Sequence, residues 1–443
     1  MKVKLEIIDN NSTQVLEGGG LVDKLLSYTV EYFVKTTFRS ERRTAKKSYY
    51  SKGFMPTGFI GRVEKHCSDN DIVIEVSSWE DKLDVGTPAL KGITFREDQK
   101  ELIKTALERQ RGVLVAPTGT GKTIVTLGIL SALQGVKCVL LFPTSGLVKQ
   151  TTAELKKFGF DVKNKLDESN ADILACTRQY LIKNYDKSDF WGLSDCVIVD
   201  ECHLGFGSSG DYATLFKNTD APMRIGLTAT PTNKEEHSMT LEAHVGPVIA
   251  ETKHNDASDL DLLETPYVDL IAVTRYPETD ARSYHDIYSD CIIENTYRNE
   301  LIVKKTDQLV SEGLSVLIAT KNIRHIDLLK SMLDKRGVDC VVVDGSDSED
   351  SREQIRQDMI NGKLKCCISS VVFREGVNIP TLNAVVFAAG GKSESGVVQF
   401  AGRALRKHPD KKEAVIVDII DNYRYLSEHT CARLSVYIKL GWL

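Results

Sequence analysis

The sequence predicts an α/β protein: two tandem parallel-sheet lobes behind a small N-terminal α+β domain. Three observations predict it. Between residues 113 and 228, short apolar runs rich in β-branched residues alternate with helix-compatible segments, the signature of a parallel sheet covered on both faces. The same alternation restarts at residue 315 and continues to 420, so there are two such sheets in succession. The first ninety residues show neither rhythm and carry short alternating strands broken by Gly and Pro. A length of 443 residues accommodates three such parts.

In chain order, KVKLEII and DIVIEVSS read as strands of the first domain, with a turn at Gly18–Gly20 and punctuation at GFMPTGFIG (53–61). The first lobe's strands are VLVAP (113–117), KCVLLF (137–142), ADILAC (171–176), CVIVD (196–200) and RIGLT (224–228). Those of the second are SVLIAT (315–320), CVVVDG (340–345), KCCISS (365–370), AVVFAAG (384–390) and EAVIVDII (413–420). The expected boundaries are 1–90, 91–252 and 253–443. The stretch 251–300 carries twelve Asp/Glu against four Lys/Arg and reads as a solvated acidic connector with an exposed helix face near Tyr284–Asn299.

A formal net charge of −5 argues weakly against a chain coated in basic surface. No run approaches the roughly eighteen apolar residues of a membrane span, and residues 1–10 lack a secretory pattern. The expected compartment is therefore reducing and cytoplasmic, of the host cell if the chain is phage-encoded. The ten cysteines are scattered, several within apolar strands, and none forms a Cys-x-x-Cys pair. They read as reduced core residues, with no zinc site.

The sharpest chemical signal is APTGTGKT: Ala116, Pro117, Thr118, Gly119, Thr120, Gly121, Lys122 and Thr123. It is a phosphate-loop pattern in which Ala116 stands for the usual first glycine, set between a strand and a helix. Gly119 and Gly121 let backbone N–H groups turn toward phosphates at the positive end of the following helix. Lys122 then neutralises the β- and γ-phosphates of ATP, and Thr123 ligates magnesium. Asp200-Glu201-Cys202-His203 ends a buried strand 78 residues after Lys122. Asp200 is placed to reach the magnesium, Glu201 to polarise the attacking water, and His203 to relay to the next motif.

A phosphate loop followed by Asp-Glu-Cys-His resembles the DExH branch of the superfamily 2 helicases, whose two lobes are RecA-like. Further motifs match in order. FREDQ (95–99) resembles the element whose glutamine reads adenine, implicating Gln99. FPTSGLVKQ (142–150), with Pro143 and Thr144, and CTRQYL (176–181), with Thr177, resemble strand-contacting motifs. Thr228-Ala229-Thr230-Pro231 resembles the segment coupling hydrolysis to strand binding. SSVVFREGVNIP (369–380) resembles the fifth motif, with Gly376 in register but Ser370 and Asn378 where Thr and Asp are commoner. QFAGRALR (399–406) matches Gln-x-x-Gly-Arg-x-x-Arg. There Gln399 belongs to coupling, while Arg403 and Arg406, three apart on one helix face, can set forked positive charge against the γ-phosphate when the lobes close.

The resemblance implies a nucleic-acid motor without fixing its substrate. Residues 35–65 hold nine Lys/Arg against two Asp/Glu, interleaved with Phe38, Tyr49, Tyr50, Phe54 and Phe59. Arg42, Arg43, Lys46 and Lys47 are the densest part, suited to phosphate contact; the aromatics can stack on bases or wedge at a junction, the alternative being a solvated basic face over a small core with Phe54 and Phe59 buried. The layout and flanks are similar to phage UvsW-type recombination helicases. This implies ATP-driven remodelling of branched DNA, or of duplex with single-stranded regions, by junction migration, fork regression or unwinding in recombination, replication or repair. An RNA helicase, a duplex translocase and an ATP-gated nucleic-acid sensor remain as alternatives.

Overall fold

The computed structural model describes residues 2–35, 40–77, 82–117, 120–168, 170–206, 211–229, 235–252, 266–280, 283–344, 347–370, 379–391, 411 and 413–443. It divides into two compact units, Met1–Ala116 with Gly121–Thr252, and Pro117–Thr120 with Lys253–Leu443.

The first unit begins with strands β1 (Lys2–Ile7), β2 (Ser12–Glu17), β3 (Ser27–Lys35), β4 (Ser40–Ser48), β5 (Phe54–Pro56) and β6 (Val73–Val76). Four of them form a sheet in the order β5-β2-β1-β6, while β3 and β4 pair separately as an antiparallel hairpin. In β1, buried Val3 and Leu5 alternate with exposed Lys2 and Lys4, as a half-buried strand requires. The expected glycine turn is narrower than its sequence. Only Gly18, with φ +83°, turns the chain, and Gly19 already opens the helix Gly19–Leu25.

The same unit continues into β7 (Arg111–Val115), β8 (Cys138–Phe142), β9 (Val162–Lys163), β10 (Ile173–Thr177), β11 (Cys196–Asp200), β12 (Met223–Thr228) and β13 (Val248–Glu251). These seven strands pair all-parallel in the order β13-β7-β12-β11-β8-β10-β9. Successive residues serve opposite cores. Leu114, Leu140, Ile198 and Ile225 enter one, while Val113, Val115, Val139, Val197 and Val199 enter the other. That two-sided burial is why these strands read as continuous apolar runs.

The N-terminal elements dock at the amino-terminal ends of β7 and β12. Arg224, fully buried, donates from Nε to Ala221 O (2.9 Å), from Nη1 to Asn11 Oδ1 (3.0 Å) and His244 O (3.2 Å), and from Nη2 to Thr219 O (3.1 Å). Arg111, its register partner, donates to Asn10 O (2.8 Å) and His244 O (3.2 Å). Burial pulls the Arg111 guanidinium down to about 10, opposed by Asp220 and Asp9. Met239 and Ala243, from the helix Glu235–His244, complete the apolar core of the N-terminal sheet and hairpin.

The second unit has six parallel strands, β14 (Tyr267–Val273), β15 (Val316–Thr320), β16 (Cys340–Val343), β17 (Cys366–Ser370), β18 (Ala384–Phe387) and β19 (Val415–Asp421), ordered β14-β19-β18-β15-β17-β16. Its two faces are again separate cores, with Leu317 and Ile416 on one and Val316 and Val417 on the other. The connector reading is corrected for part of its span, while 253–265 and 281–282 lie outside the described residues. Residues 267–273 are an edge strand of this sheet, and Ile287, Cys291, Ile292 and Ile293 are buried. Arg298 is fully buried and grips Asp421 with two bonds of 2.8 and 3.1 Å. Among the described residues, the acidic Asp269 sits on that edge strand and pairs with Lys305 at 2.8 Å, so its charge does not mark a linker.

All ten cysteines are free, nine of them buried. Among the described residues no helix is long and apolar enough to cross a membrane.

Candidate active site

The carboxyl ends of three adjacent strands, β7, β12 and β11, carry the chemistry. Their order in the sheet brings together the phosphate-loop start, Thr228 and the Asp200–His203 turn. The Ala116 N–H donates to Thr228 O at 2.8 Å, and the Cys202 N–H to Leu227 O at 3.0 Å. Cys202 is completely buried against Gly226, where an added Cβ would lie 2.9 Å from its Sγ.

Lys122 opens the helix Lys122–Ser131, and its Nζ lies 3.3 Å from Glu201 Oε1 with both side chains largely buried. The Glu201 backbone has φ +47°, a left-handed conformation costing about 1–3 kcal/mol for a residue of this type. Bonds from Glu201 N–H to Asp200 Oδ1 (3.0 Å) and from Leu204 N–H to Glu201 O (2.9 Å) hold the turn. Glu201 Oε2 is buried without a hydrogen-bond partner, 3.4 Å from His203 Nδ1. The same Nδ1 lies 2.8 Å from Thr228 Oγ1. Burial pushes the His203 imidazole below its ordinary value; Glu201 opposes the shift and Lys122 adds to it. His203 is thus held neutral, able to act as donor or acceptor.

Gln99 is buried in the first turn of the helix Glu97–Arg109, its Oε1 accepting from the Arg96 N–H at 3.2 Å. Its Nε2 lies against Gly121, where a Cβ would sit 2.7 Å away, and Gly121 has φ +86°. The left-handed φ is what favours glycine there. Within the loop, Thr120 Oγ1 donates to Pro117 O at 2.7 Å. Thr123 lies in the first helical turn and Asp200 ends β11. A hydroxyl and a carboxylate are hard-oxygen donors that suit magnesium, which takes its other ligands from water and phosphate. Among the described residues there is no group of three or more His, Cys, Asp or Glu that could hold a metal ion.

Pro143 and Thr144 follow β8, and Thr177 ends β10, on the same sheet rim. The two threonines are helix caps. Thr144 Oγ1 accepts from Leu147 N–H at 3.4 Å and Thr177 Oγ1 from Tyr180 N–H at 3.1 Å. The thirteen-residue helix that Thr144 caps puts its N-terminus at the rim, favourable to phosphate. Sequence reasoning missed Arg178, although it stands inside the CTRQYL run. Its Nη1 donates to Gly205 O at 3.4 Å, its Nε is 3.8 Å from Asp211 Oδ2, and it covers the Tyr212 ring. It ties the Thr177 cap to the loop that follows His203.

In the hairpin, Arg43, Lys46 and Lys47 are exposed. Register sets Arg43 opposite Tyr32, Lys46 opposite Thr29 and Lys47 opposite Tyr28, so strand alternation puts Arg43 and Lys47 on one face and Lys46 on the other. Most of the neighbouring aromatics are core rather than stacking platforms. Phe59 is buried, and Tyr49 stacks on Tyr28 with its hydroxyl donating to Thr240 Oγ1 at 2.8 Å. Phe54 is 40% exposed. Thr118, Gly119, Thr230, Gly376, Gln399, Arg403, Arg406, Phe38 and the Arg42 side chain lie outside the described residues.

Two tandem parallel sheets, with a lysine and a strand-end carboxylate meeting at the first, are the arrangement of the superfamily 2 helicases, and two family models match the chain in the same order. Residues 92–233 match the family described as "Type III restriction enzyme, res subunit", and 299–408 the "Helicase conserved C-terminal domain". Within that class it resembles the UvsW type, being 24% identical over 415 residues to the ATP-dependent DNA helicase uvsW of Enterobacteria phage T4, 83% of this chain and 79% of that one. It is 25% identical over 399 residues to the DNA 3'-5' translocase XPB2 of Sulfurisphaera tokodaii, covering 81% and 88%. The fold is shared with S. cerevisiae Dbp5 bound to RNA and ADP BeF3, at TM-score 0.57 and 15% identity, covering 78% and 88%.

Proposed function

We propose that this chain is an ATP-driven motor that remodels branched DNA. The observation carrying this reading is the meeting of Lys122 and Glu201 at 3.3 Å beside the His203–Thr228 contact. Lys122, freed from Glu201 when nucleotide enters, neutralises its phosphates. The unpartnered Oε2 of Glu201 then accepts a hydrogen bond from the attacking water and takes its proton. Thr123 and Asp200 would hold magnesium, which supplies charge neutralisation at the phosphates. Gln99 faces the base and Gly376 belongs to the nucleotide site, while Arg403 and Arg406 supply positive charge to the γ-phosphate. Gln399, Thr228 and Thr230 couple that state to a strand held at Pro143, Thr144 and Thr177.

DNA is favoured over RNA because the relatives above are named as acting on DNA, whereas the RNA-bound likeness concerns the fold. The test compares ATP turnover and strand separation on forked DNA, four-way junctions, blunt duplex and matched RNA. Branched DNA should stimulate both most strongly. Preference for RNA would replace the reading with an RNA helicase, and stimulation by blunt duplex without strand separation would make it a translocase.

A further inference from the structure

Two legs flank Thr228 in the sequence, and both root in the N-terminal domain. One leg is β12: Thr228 at its carboxyl end meets His203, and Arg224 near its amino end is held by Asn11 Oδ1 at 3.0 Å. Six residues of strand make a stiff rod about 17–20 Å long. The other leg is the helix Glu235–His244, which starts seven residues after Thr228 and runs back to the same end, where His244 O accepts from both Arg111 and Arg224.

That helix is clamped along its length. Arg62 Nε donates to Glu242 Oε1 at 2.9 Å, and Arg62 Nη2 to Glu242 Oε2. The Tyr49 hydroxyl donates to Thr240 Oγ1 at 2.8 Å, and the Thr29 N–H to Glu235 Oε2 at 3.4 Å. Gly58 approaches so closely that a Cβ would stand 2.0 Å from Glu242 O. Tyr28 and Val30 of the basic hairpin share one core with Met239 and Ala243. The hairpin therefore rests directly on the helix, whose His244 carbonyl accepts from Arg224 of β12, the strand that ends in the residue touching His203.

We propose that the N-terminal domain is a positioning element of the ATPase. Nucleic acid held on the β3–β4 hairpin shifts the Glu235–His244 helix and β12, and so sets the Thr228–His203 contact. Arg62, Tyr49 and Glu242 are positioning residues in this arrangement, remote from the reacting atoms. The inference rests on the motor reading above and names the route by which substrate engagement reaches the hydrolytic residues, a packed element that both sites bias.

The test uses the full chain with forked DNA and measures basal turnover, stimulated kcat, DNA affinity and thermal midpoint. Arg62→Glu and Glu242→Arg should each lower stimulated kcat about tenfold and keep basal turnover and affinity within about twofold. The combined swap should restore stimulation, a rescue that loss of folding would not give. Tyr49→Phe, a milder change, should lower stimulated kcat without moving the thermal midpoint. Folded single variants with full stimulation would overturn the proposal, as would a swap that restores the midpoint and leaves stimulation low. A wild-type chain that no nucleic acid stimulates would instead defeat the motor reading.

Discussion

The Oγ1 of Thr228 and the Nδ1 of His203 lie 2.8 Å apart, and this bond joins the strand that precedes the coupling motif to the turn that carries Glu201. Thr228→Val keeps the shape and removes the hydroxyl. Basal ATP turnover should stay within a few-fold, while nucleic-acid-stimulated turnover and strand separation each fall about tenfold. Turnover with and without forked DNA and unwinding on one preparation check this, and an equal loss of basal turnover would assign Thr228 to the hydrolytic step.

Lys122→Ala and Glu201→Gln should each reduce stimulated ATP turnover by about 10²–10³-fold with nucleic-acid binding retained. Turnover near wild type in either variant would remove that residue from the proposed site.

Charge reversal of Arg43, Lys46 and Lys47 should weaken DNA binding. The slope of log affinity against log salt should fall by roughly one for each phosphate no longer neutralised. Because strand alternation puts Lys46 on the other face from Arg43 and Lys47, Lys46→Glu alone reads out one face. If neither affinity nor slope changes, the hairpin is bare surface.

Acid should destabilise both units through buried neutral imidazoles. His244 and His325 are pulled down to about 3, chiefly by burial, with nearby Arg224 and Arg298 adding respectively. The unfolded chain binds these protons below about pH 6.5 and the folded chain does not. The contribution is therefore complete above about 6.5 and is lost as pH falls from there toward 3, at about 1.4 kcal/mol per pH unit for each histidine. Calorimetry between pH 7 and 5 should show both transitions moving down. His244→Phe should flatten the first unit's dependence only, since its ring stacks on Phe216 and a phenyl fits that place.

Asp421→Ala should destabilise the second unit by about 3–5 kcal/mol, because it strands the fully buried guanidinium of Arg298. Replacing both partners by apolar residues of similar volume should recover much of the loss. Denaturant titration of the single and double variants checks both.

All ten strands read in the two lobes form, because each is buried on both faces and so carries its own apolar signature. The edge strands β13 and β14 were not legible. Tyr267 is 66% exposed and Val248 53%, so nothing in their pattern separates them from a loop. The strand-to-helix setting of the phosphate-loop pattern and the meeting of Lys122 with Glu201 were readable because such motifs depend on residue type at fixed spacing. The cap roles of Thr144 and Thr177 and the bracing role of Arg178 depend instead on which backbone atoms the fold brings near. The basic stretch was legible as charge and the burial of Phe59 as one alternative; that Tyr49 shares the same core was not legible, since that core includes Met239 and Ala243, some 190 residues away from it.

The guanidinium of Arg224, shared between Asn11 on one side and the backbone of Thr219, Ala221 and His244 on the other, bears on how this chain can be cut. A fragment beginning near residue 91 would bare Met239 and Ala243 to water and leave Glu242 without Arg62. The first ninety residues are therefore no detachable cassette. A lineage exchanging them for another head would also have to rewrite the underside of the lobe beneath, which makes inheritance of the two as one piece the easier course.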